Sequence, residues 1–227
     1  MNLDGIKITI ERTERRKTVS IFIERDGSVK VLAPQSVSDE RVEEAVISKQ
    51  YQIFSKLAKW KELNSGKVNR EFVNGQSFLY FGRNYRLSIV DEGATPLAFI
   101  GNRFLLRREF QLRADKYFRE FYRSKTKEKV IERLHAIQPK FAEQPSMVRV
   151  LELQNRWASC TPNQGLNFHW KCAMAPMGVL DYIITHEMVH LKYRNHSSEF
   201  WDELDKKMPN YREHADWLKK NGVKLGF

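Results

Sequence analysis

The sequence predicts an α+β protein: a small, mostly antiparallel β-rich region with one long helix over residues 1–108, then a helical domain with a β-hairpin over residues 109–227. Three observations lead there. Apolar and polar residues alternate in short runs up to about residue 108, which is the period of a half-buried strand. The pairs Asp26-Gly27 and Gly101-Asn102 separate such runs with hairpin-turn chemistry. From Phe110 onward the apolar spacing changes to three and four, the period of a helix.

Each element follows in order. Ile6 to Ile10 alternates as a strand, and Arg12, Arg15, Arg16 and Lys17 form a basic cluster behind it. Val19–Ile23 and Ser28–Leu32 flank Asp26-Gly27 as the two arms of a hairpin, which Pro34 closes. Ser36 to Asp39 is a helix start, and Val42, Val46, Ile53, Leu57 and Trp60 lie on one face of a single long helix ending at Asn64-Ser65-Gly66. Phe78–Phe81, Tyr85–Val90, Leu97–Ile100 and Phe104–Leu106 are further strands, the last two paired across Gly101-Asn102. No internal repeat is visible.

Between Phe110 and Ile137 the aromatics Phe110, Tyr117, Phe118 and Phe121 interleave with Arg113, Lys116, Arg119, Arg123, Lys125, Lys127 and Lys129. Such interleaving suits single-stranded nucleic acid by stacking and phosphate neutralisation. At helical spacing it equally describes a core face beside a solvated one. Val148–Leu153 and Gly165–Trp170 read as two strands that pair as a hairpin, with Asn155–Thr161 between them. A helix starts after Pro176, Ser197 caps another, and Tyr211–Asn221 forms the last, stopped by Gly222.

The net charge is +11, and it is unevenly placed. Residues 1–150 carry 29 Lys and Arg against 19 Asp and Glu, whereas residues 151–227 carry 10 against 9. The basic part suits an anionic partner, nucleic acid or nucleotide among them, or serves solubility alone. No run approaches the roughly 18 apolar residues of a membrane span, so no membrane partner is expected. The first residues lack the basic and apolar regions of a signal peptide. Two cysteines, Cys160 and Cys172, imply no disulfide framework, which points to the cytoplasm.

The candidate site is Thr185-His186-Glu187-Met188-Val189-His190-Leu191, followed by Asn195-His196. Histidines four residues apart on a helix leave the same face, about one turn from each other, and can grip one metal ion. Glu187 beside the first ligand is placed to act as general base towards a metal-activated water, the H-E-x-x-H arrangement. His196 is the natural third ligand, with a fourth position left to water. The bland alternative is a buried helix whose histidines merely bond to neighbours.

The segments Arg156-Trp157-Ala158-Ser159-Cys160, Ala175-Pro176, Leu180-Asp181-Tyr182, His186 to Leu191, Asn195 to Trp201 and Pro209-Asn210-Tyr211 resemble the YgjP-like family of zinc metallohydrolases. That family is related to SprT-like and WLM-type zincins. Weaker similarity in the N-terminal Arg-Arg-Lys and Asp-Gly hairpin extends the resemblance over nearly the whole chain. Ala158 stands where the family usually shows Gly. The resemblance implies a zincin-like second domain, His186, His190 and His196 as zinc ligands, and Glu187 as catalytic acid/base. The spacing also equals that of metzincins, but Tyr193 occupies their turn-glycine position, where a sharp turn with positive φ would resist it.

Further candidates are weaker. Arg156 stabilises an oxyanion or binds a phosphate, or it braces the hairpin. Tyr182 and Tyr193 face the reacting group or pack, and Cys160 joins a metal site or is a small buried thiol. His135 and His169 are structural, and Glu199 or Glu203 replaces His196 as ligand if that histidine points elsewhere. The leading expectation is a zinc metallopeptidase acting on a protein or peptide. Its alternatives are a nucleoside triphosphate pyrophosphohydrolase, with magnesium or manganese in place of zinc, and a nucleic-acid-binding protein with structural zinc.

Overall fold

The computed structural model describes residues 1–14, 17–24, 26–65, 69–153 and 156–227. Arg15 and Arg16 of the basic cluster, Gly66 at the expected helix end and Asn155 in the expected turn lie outside the described residues. The chain forms two compact units, Met1–Gly66 and Lys67–Phe227.

In the first unit, β1 (Asn2–Leu3), β2 (Ile6–Thr13), β3 (Ser20–Ile23) and β4 (Val29–Pro34) form one sheet in the order β1-β2-β4-β3. The β1/β2 and β3/β4 pairs are antiparallel hairpins, while β2 and β4 run parallel. Val29, Val31 and Ala33 of β4 are buried with Val42, Val46 and Ile53 from the helices that follow. Arg12 of the basic cluster is committed to the fold: its guanidinium donates to the carbonyls of Pro34 (3.0 Å) and Val37 and pairs with Asp39.

The expected single helix is two: α1 (Asp39–Ser48) and α2 (Gln50–Asn64), broken at Lys49 with φ −106° and ψ 6°. The Ser48 hydroxyl donates to the Ala45 carbonyl (2.9 Å), the acceptor that the Lys49 N–H would use in a continuous helix. That N–H turns to Val46 instead, at 3.1 Å. Apolar spacing across the break is nearly unchanged, so periodicity alone does not reveal it.

In the second unit, β5 (Ser77–Tyr80), β6 (Arg83–Val90), β7 (Leu97–Ile100) and β8 (Arg103–Arg107) pair in the order β5-β6-β8-β7. Two antiparallel hairpins again flank a parallel central pair. The chain thus uses one strand topology twice, a repeat of form that the sequence does not display. A 3₁₀ turn (Arg108–Arg113) leads into α3 (Ala114–Ile137).

The expected division at residue 108 falls inside this unit. Phe118 and Tyr122 of α3 are fully buried against Phe78 and Phe104 of the sheet, with centroids of Phe78 and Phe118 4.4 Å apart. Cutting there would split one aromatic core. These α3 aromatics therefore serve packing. Much of the interleaved charge is paired, as Arg119–Glu152, Lys125–Glu128, Lys129–Glu132 and Arg133–Asp181.

A three-stranded sheet follows: β9 (Met147–Leu151), β10 (Ala158–Cys160) and β11 (Gly165–His169), in the order β10-β11-β9. The expected hairpin partner of β11 was the 148–153 strand, but those two run parallel. The antiparallel arm is β10, which pairs Ala158 with Phe168 and Cys160 with Leu166. The antiparallel return therefore comes from within the segment 155–161, which was expected only to connect the two strands. A 3₁₀ turn (Trp170–Met174), α4 (Met177–Val189), α5 (Ser198–Lys207) and α6 (Tyr211–Asn221) complete the chain. Among the described residues, no helix is long and apolar enough to cross a membrane.

Several contacts fix α4. The β5–β6 turn donates its Phe81 and Gly82 N–H groups to the carbonyls of Ala173 (2.8 Å) and Met174 (3.1 Å). Buried Thr126 of α3 donates to the Trp170 carbonyl (2.7 Å) and accepts from the Ala173 N–H (3.1 Å). Arg133 of α3 grips Asp181 on α4 with two bonds of 2.6 and 2.7 Å. Gly178 lets the His214 ring of α6 approach, for a Cβ there would lie 2.6 Å from it. A rigid helix is what a metal site needs beneath it.

Candidate metal centre

His186 and Glu187 lie in the last turn of α4, and His190 is its C-cap residue. Apolar residues dominate this helix: Val179, Leu180, Ile183, Ile184, Met188 and Val189 are buried. His196 arrives from the turn between α4 and α5. That turn needs no positive φ among the described residues. Successive helix-like bonds build it, with the N–H of Leu191 on Met188 and those of Lys192 and Tyr193 on Val189. Tyr193 therefore fits a turn built differently from the glycine turn of metzincins. Ser197 stands at the N-cap of α5, but its hydroxyl serves the Glu199 carboxylate and makes no capping bond to the helix backbone.

The three imidazoles converge. Nε2 of His196 is 3.0 Å from Nε2 of His186 and 3.2 Å from Nε2 of His190, and one nitrogen of each lies within 4.8 Å of the others. Nδ1 of His190 lies 2.8 Å from the Tyr193 carbonyl. A carbonyl only accepts, so Nδ1 carries the proton and Nε2 turns a lone pair towards the cluster. Burial, and then the neighbouring imidazoles, push the His186 pKa down to about 3. His196 is lowered for the same reasons, burial first.

Three neutral nitrogens with converging lone pairs repel one another unless a proton or cation sits between them. Their spacing approaches the edge of about 3.3 Å expected for nitrogens about 2.05 Å from a tetrahedral metal. The donor set fits a divalent metal of the imidazole-binding class. Nδ1 of His186 is buried with no hydrogen-bond partner among the described residues.

Phe200 of α5 forms the floor. Its ring is fully buried, with centroids 4.9, 4.5 and 4.7 Å from those of His186, His190 and His196. Trp201 stacks on His196 at 5.4 Å and on Tyr211 at 5.8 Å. Sequence reading missed this scaffold, although an aromatic pair four and five residues past His196 is its visible signal.

A cavity of about 460 Å³ opens over the cluster, lined by the three histidines, Glu187, Arg156, Arg194 and residues 158–160 of β10. Glu187 is buried, and burial pushes its carboxyl pKa up to about 8. Arg156 and the Cys160 backbone N–H, which donates to it, pull the other way. One carboxylate oxygen, Oε2, is buried without a hydrogen-bond partner among the described residues. All five expected site residues thus border one space: His186, Glu187, His190, His196 and Arg156.

Of the other candidates, Cys160 borders the cavity, and Tyr182 and Tyr193 do not. Burial raises the Tyr182 pKa to about 12, and its ring packs against His186 and Tyr211. Cys160 lines the cavity, but burial raises its thiol pKa, which disfavours a thiolate ligand. Glu199 bonds Ser198 and Glu203 pairs with Lys207, so neither takes the place of His196. His135 is exposed on α3, whereas His169 is buried at the end of β11. Arg194, unmarked in the sequence, borders the cavity and donates to the carbonyls of Thr161 (3.1 Å) and Pro162 (3.0 Å).

Comparison with known proteins points to a metallopeptidase domain. The family profile described as YgjP-like, metallopeptidase domain, matches residues 17–221. No curated protein matches the chain. Among solved structures, the crystal structure of the metallopeptidase zymogen of Pyrococcus abyssi abylysin is similar at 24% identity and a TM-score of 0.39. That match covers 42% of this chain and 96% of that one.

Proposed function

Because the chain belongs to the YgjP-like metallopeptidase family, we propose that it is a zinc-dependent peptidase. His186, His190 and His196 hold the metal, and Glu187 is the general base. The observation that carries this reading is the convergence of three imidazole nitrogens beside a buried carboxylate with a free oxygen. Zinc bound there supplies Lewis acidity, which polarises a peptide carbonyl and brings the pKa of water towards neutrality.

The chain's own residues do the rest. His190 keeps its proton on Nδ1 through the Tyr193 carbonyl, so Nε2 stays available. Phe200 fixes the three rings, which spares the site reorganisation. Glu187 takes the proton of the attacking water and hands it to the leaving amine. Arg156 steadies negative charge at the mouth of the cavity. The free thiols of Cys160 and Cys172 suit a reducing compartment, so we place the enzyme in the cytoplasm.

The test compares wild type with Glu187→Gln on metal-quantified protein and an unstructured protein substrate. The expected result is cleavage by wild type only, with equal zinc in both. Cleavage that survives Glu187→Gln would sink the assignment of the base, and zinc retained after loss of all three histidines would sink the metal site.

A further inference from the structure

The electrostatics of the cavity carry one step more, and this step rests on the peptidase reading above. Among the described lining residues Glu187 is the one acid, against Arg156 and Arg194. The ion pairs on the neighbouring helices, Arg133–Asp181 and Lys207–Glu203, involve neither arginine. Arg194 spends two N–H groups on the carbonyls of Thr161 and Pro162. A guanidinium has five, so three remain, and among the described residues its charge meets backbone dipoles and no ion-paired carboxylate. The two carbonyls also hold the fork still, so a ligand pays little to order it.

With three neutral imidazoles and a divalent ion, the site carries a net positive charge even when Glu187 is ionised. A neutral or basic substrate leaves that charge uncompensated as it displaces water. An anionic group brings compensation, and arginine matches a carboxylate in two parallel bonds. We infer that Arg156 and Arg194 select the substrate: the cavity takes peptides that carry an Asp or Glu side chain close to the scissile bond.

The experiment uses the zinc-loaded full chain and peptides that differ at one position within two residues of the cleaved bond, as Glu, Gln or Lys. The expected kcat/KM is roughly tenfold higher for Glu than for Gln, the scale of a charge-assisted hydrogen bond, with Lys lowest. The preference narrows in high salt. Arg194→Gln and Arg156→Gln each bring the Glu/Gln ratio towards one, whereas Arg194→Lys, which keeps the charge and loses the fork, gives a ratio between wild type and Arg194→Gln. Unchanged melting curves show that the variants remain folded.

A second readout is independent of turnover: anisotropy of labelled Glu and Gln peptides on zinc-loaded Glu187→Gln protein, with a nucleoside triphosphate as competitor. Cleavage with no Glu preference overturns the selectivity and leaves the peptidase reading standing. Arginine-dependent binding of the Glu peptide without any cleavage by wild type supports the selectivity and overturns the peptidase reading. A triphosphate that displaces the Glu peptide at far lower concentration overturns the acidic-peptide assignment and makes phosphate the anion.

Discussion

Arg133 on α3 holds Asp181 on α4 through a two-pronged ion pair, Nε to Oδ1 at 2.6 Å and Nη2 to Oδ2 at 2.7 Å. Both side chains are mostly shielded, at 33% and 19% exposure, so water screens the pair less than a surface bridge. The Asp181 carboxylate raises the Arg133 pKa through this hydrogen bonding. Asp181 lies five residues before His186, so the pair anchors the helix that carries the site.

Arg133→Gln should therefore destabilise the second unit by roughly 1–2 kcal/mol, the range for a charge-assisted pair that is not fully buried. Calorimetry should show a fall of about 2–8 °C in Tm at this chain length. Asp181→Asn should cost a similar amount, and the double variant less than the sum. Strict additivity of the two losses would show that the pair contributes nothing.

Gly82 is the second anchor. Its φ is +79°, and a Cβ there would lie 2.9 Å from the Cα of Pro176, the residue that precedes α4. Gly82→Ala meets both a strained backbone and a clash with main chain that cannot rotate away. A loss of roughly 2–4 kcal/mol is expected. Gly101→Ala is the control, since it shares the positive φ, at +56°, but has nothing within 4 Å. Denaturant midpoints should separate the two. Equal losses would mean that strain alone matters and that contact with Pro176 does not.

How much of this was readable beforehand depends on the range of the forces involved. Placing His186 and His190 side by side needs only the helical period, and the α4 start at Pro176 is local chemistry. The hairpin at Asp26 is equally local, since its carboxylate accepts from the Ser28 N–H and hydroxyl at 2.9 and 2.7 Å. Arg194 was invisible because its partners, Thr161 and Pro162, lie more than thirty residues away in sequence. The parallel pairing of β9 with β11 was hidden likewise, as alternation gives a strand its face but not its neighbour. The break at Lys49 comes with a serine hydroxyl taking the Ala45 carbonyl, a bond that apolar periodicity does not sense.

His169 supplies a pH dependence away from the metal cluster. It is 5% exposed, and burial, with Lys171 second, pushes its pKa from 6.5 down to about 4. Its Nδ1 accepts the Lys171 N–H at 3.0 Å, which also requires the unprotonated form. Between these pH values the unfolded chain binds the proton and the folded one does not. The contribution is therefore full above pH 6.5 and is lost as pH falls towards about 4. In His169→Asn, where the amide oxygen can take the Nδ1 role, this part of the acid sensitivity should vanish. The difference between the two stability curves over that window should reach roughly 3 kcal/mol at most. Parallel curves would show that His169 titrates normally in the fold.

Metal removal gives the last prediction. With His186 mostly shielded and its pKa lowered by burial, its ring is poised as an acceptor before any ion arrives, and the two neighbouring imidazoles converge on the same point. Zinc should therefore bind the folded chain far better than the unfolded one, stabilise it by about 4 kcal/mol at a thousandfold excess over Kd, and raise Tm as its concentration rises. A chelator should reverse that gain along with the proposed hydrolysis. His196→Ala should weaken zinc by more than the roughly 10–100-fold typical of losing an outer partner of a ligand. Phe200→Leu should fall within that range, because the ligands remain while their floor shrinks. Competition with a chromogenic chelator reads both affinities. If His196→Ala and Phe200→Leu weakened zinc equally, His196 would be support for the site and not a ligand.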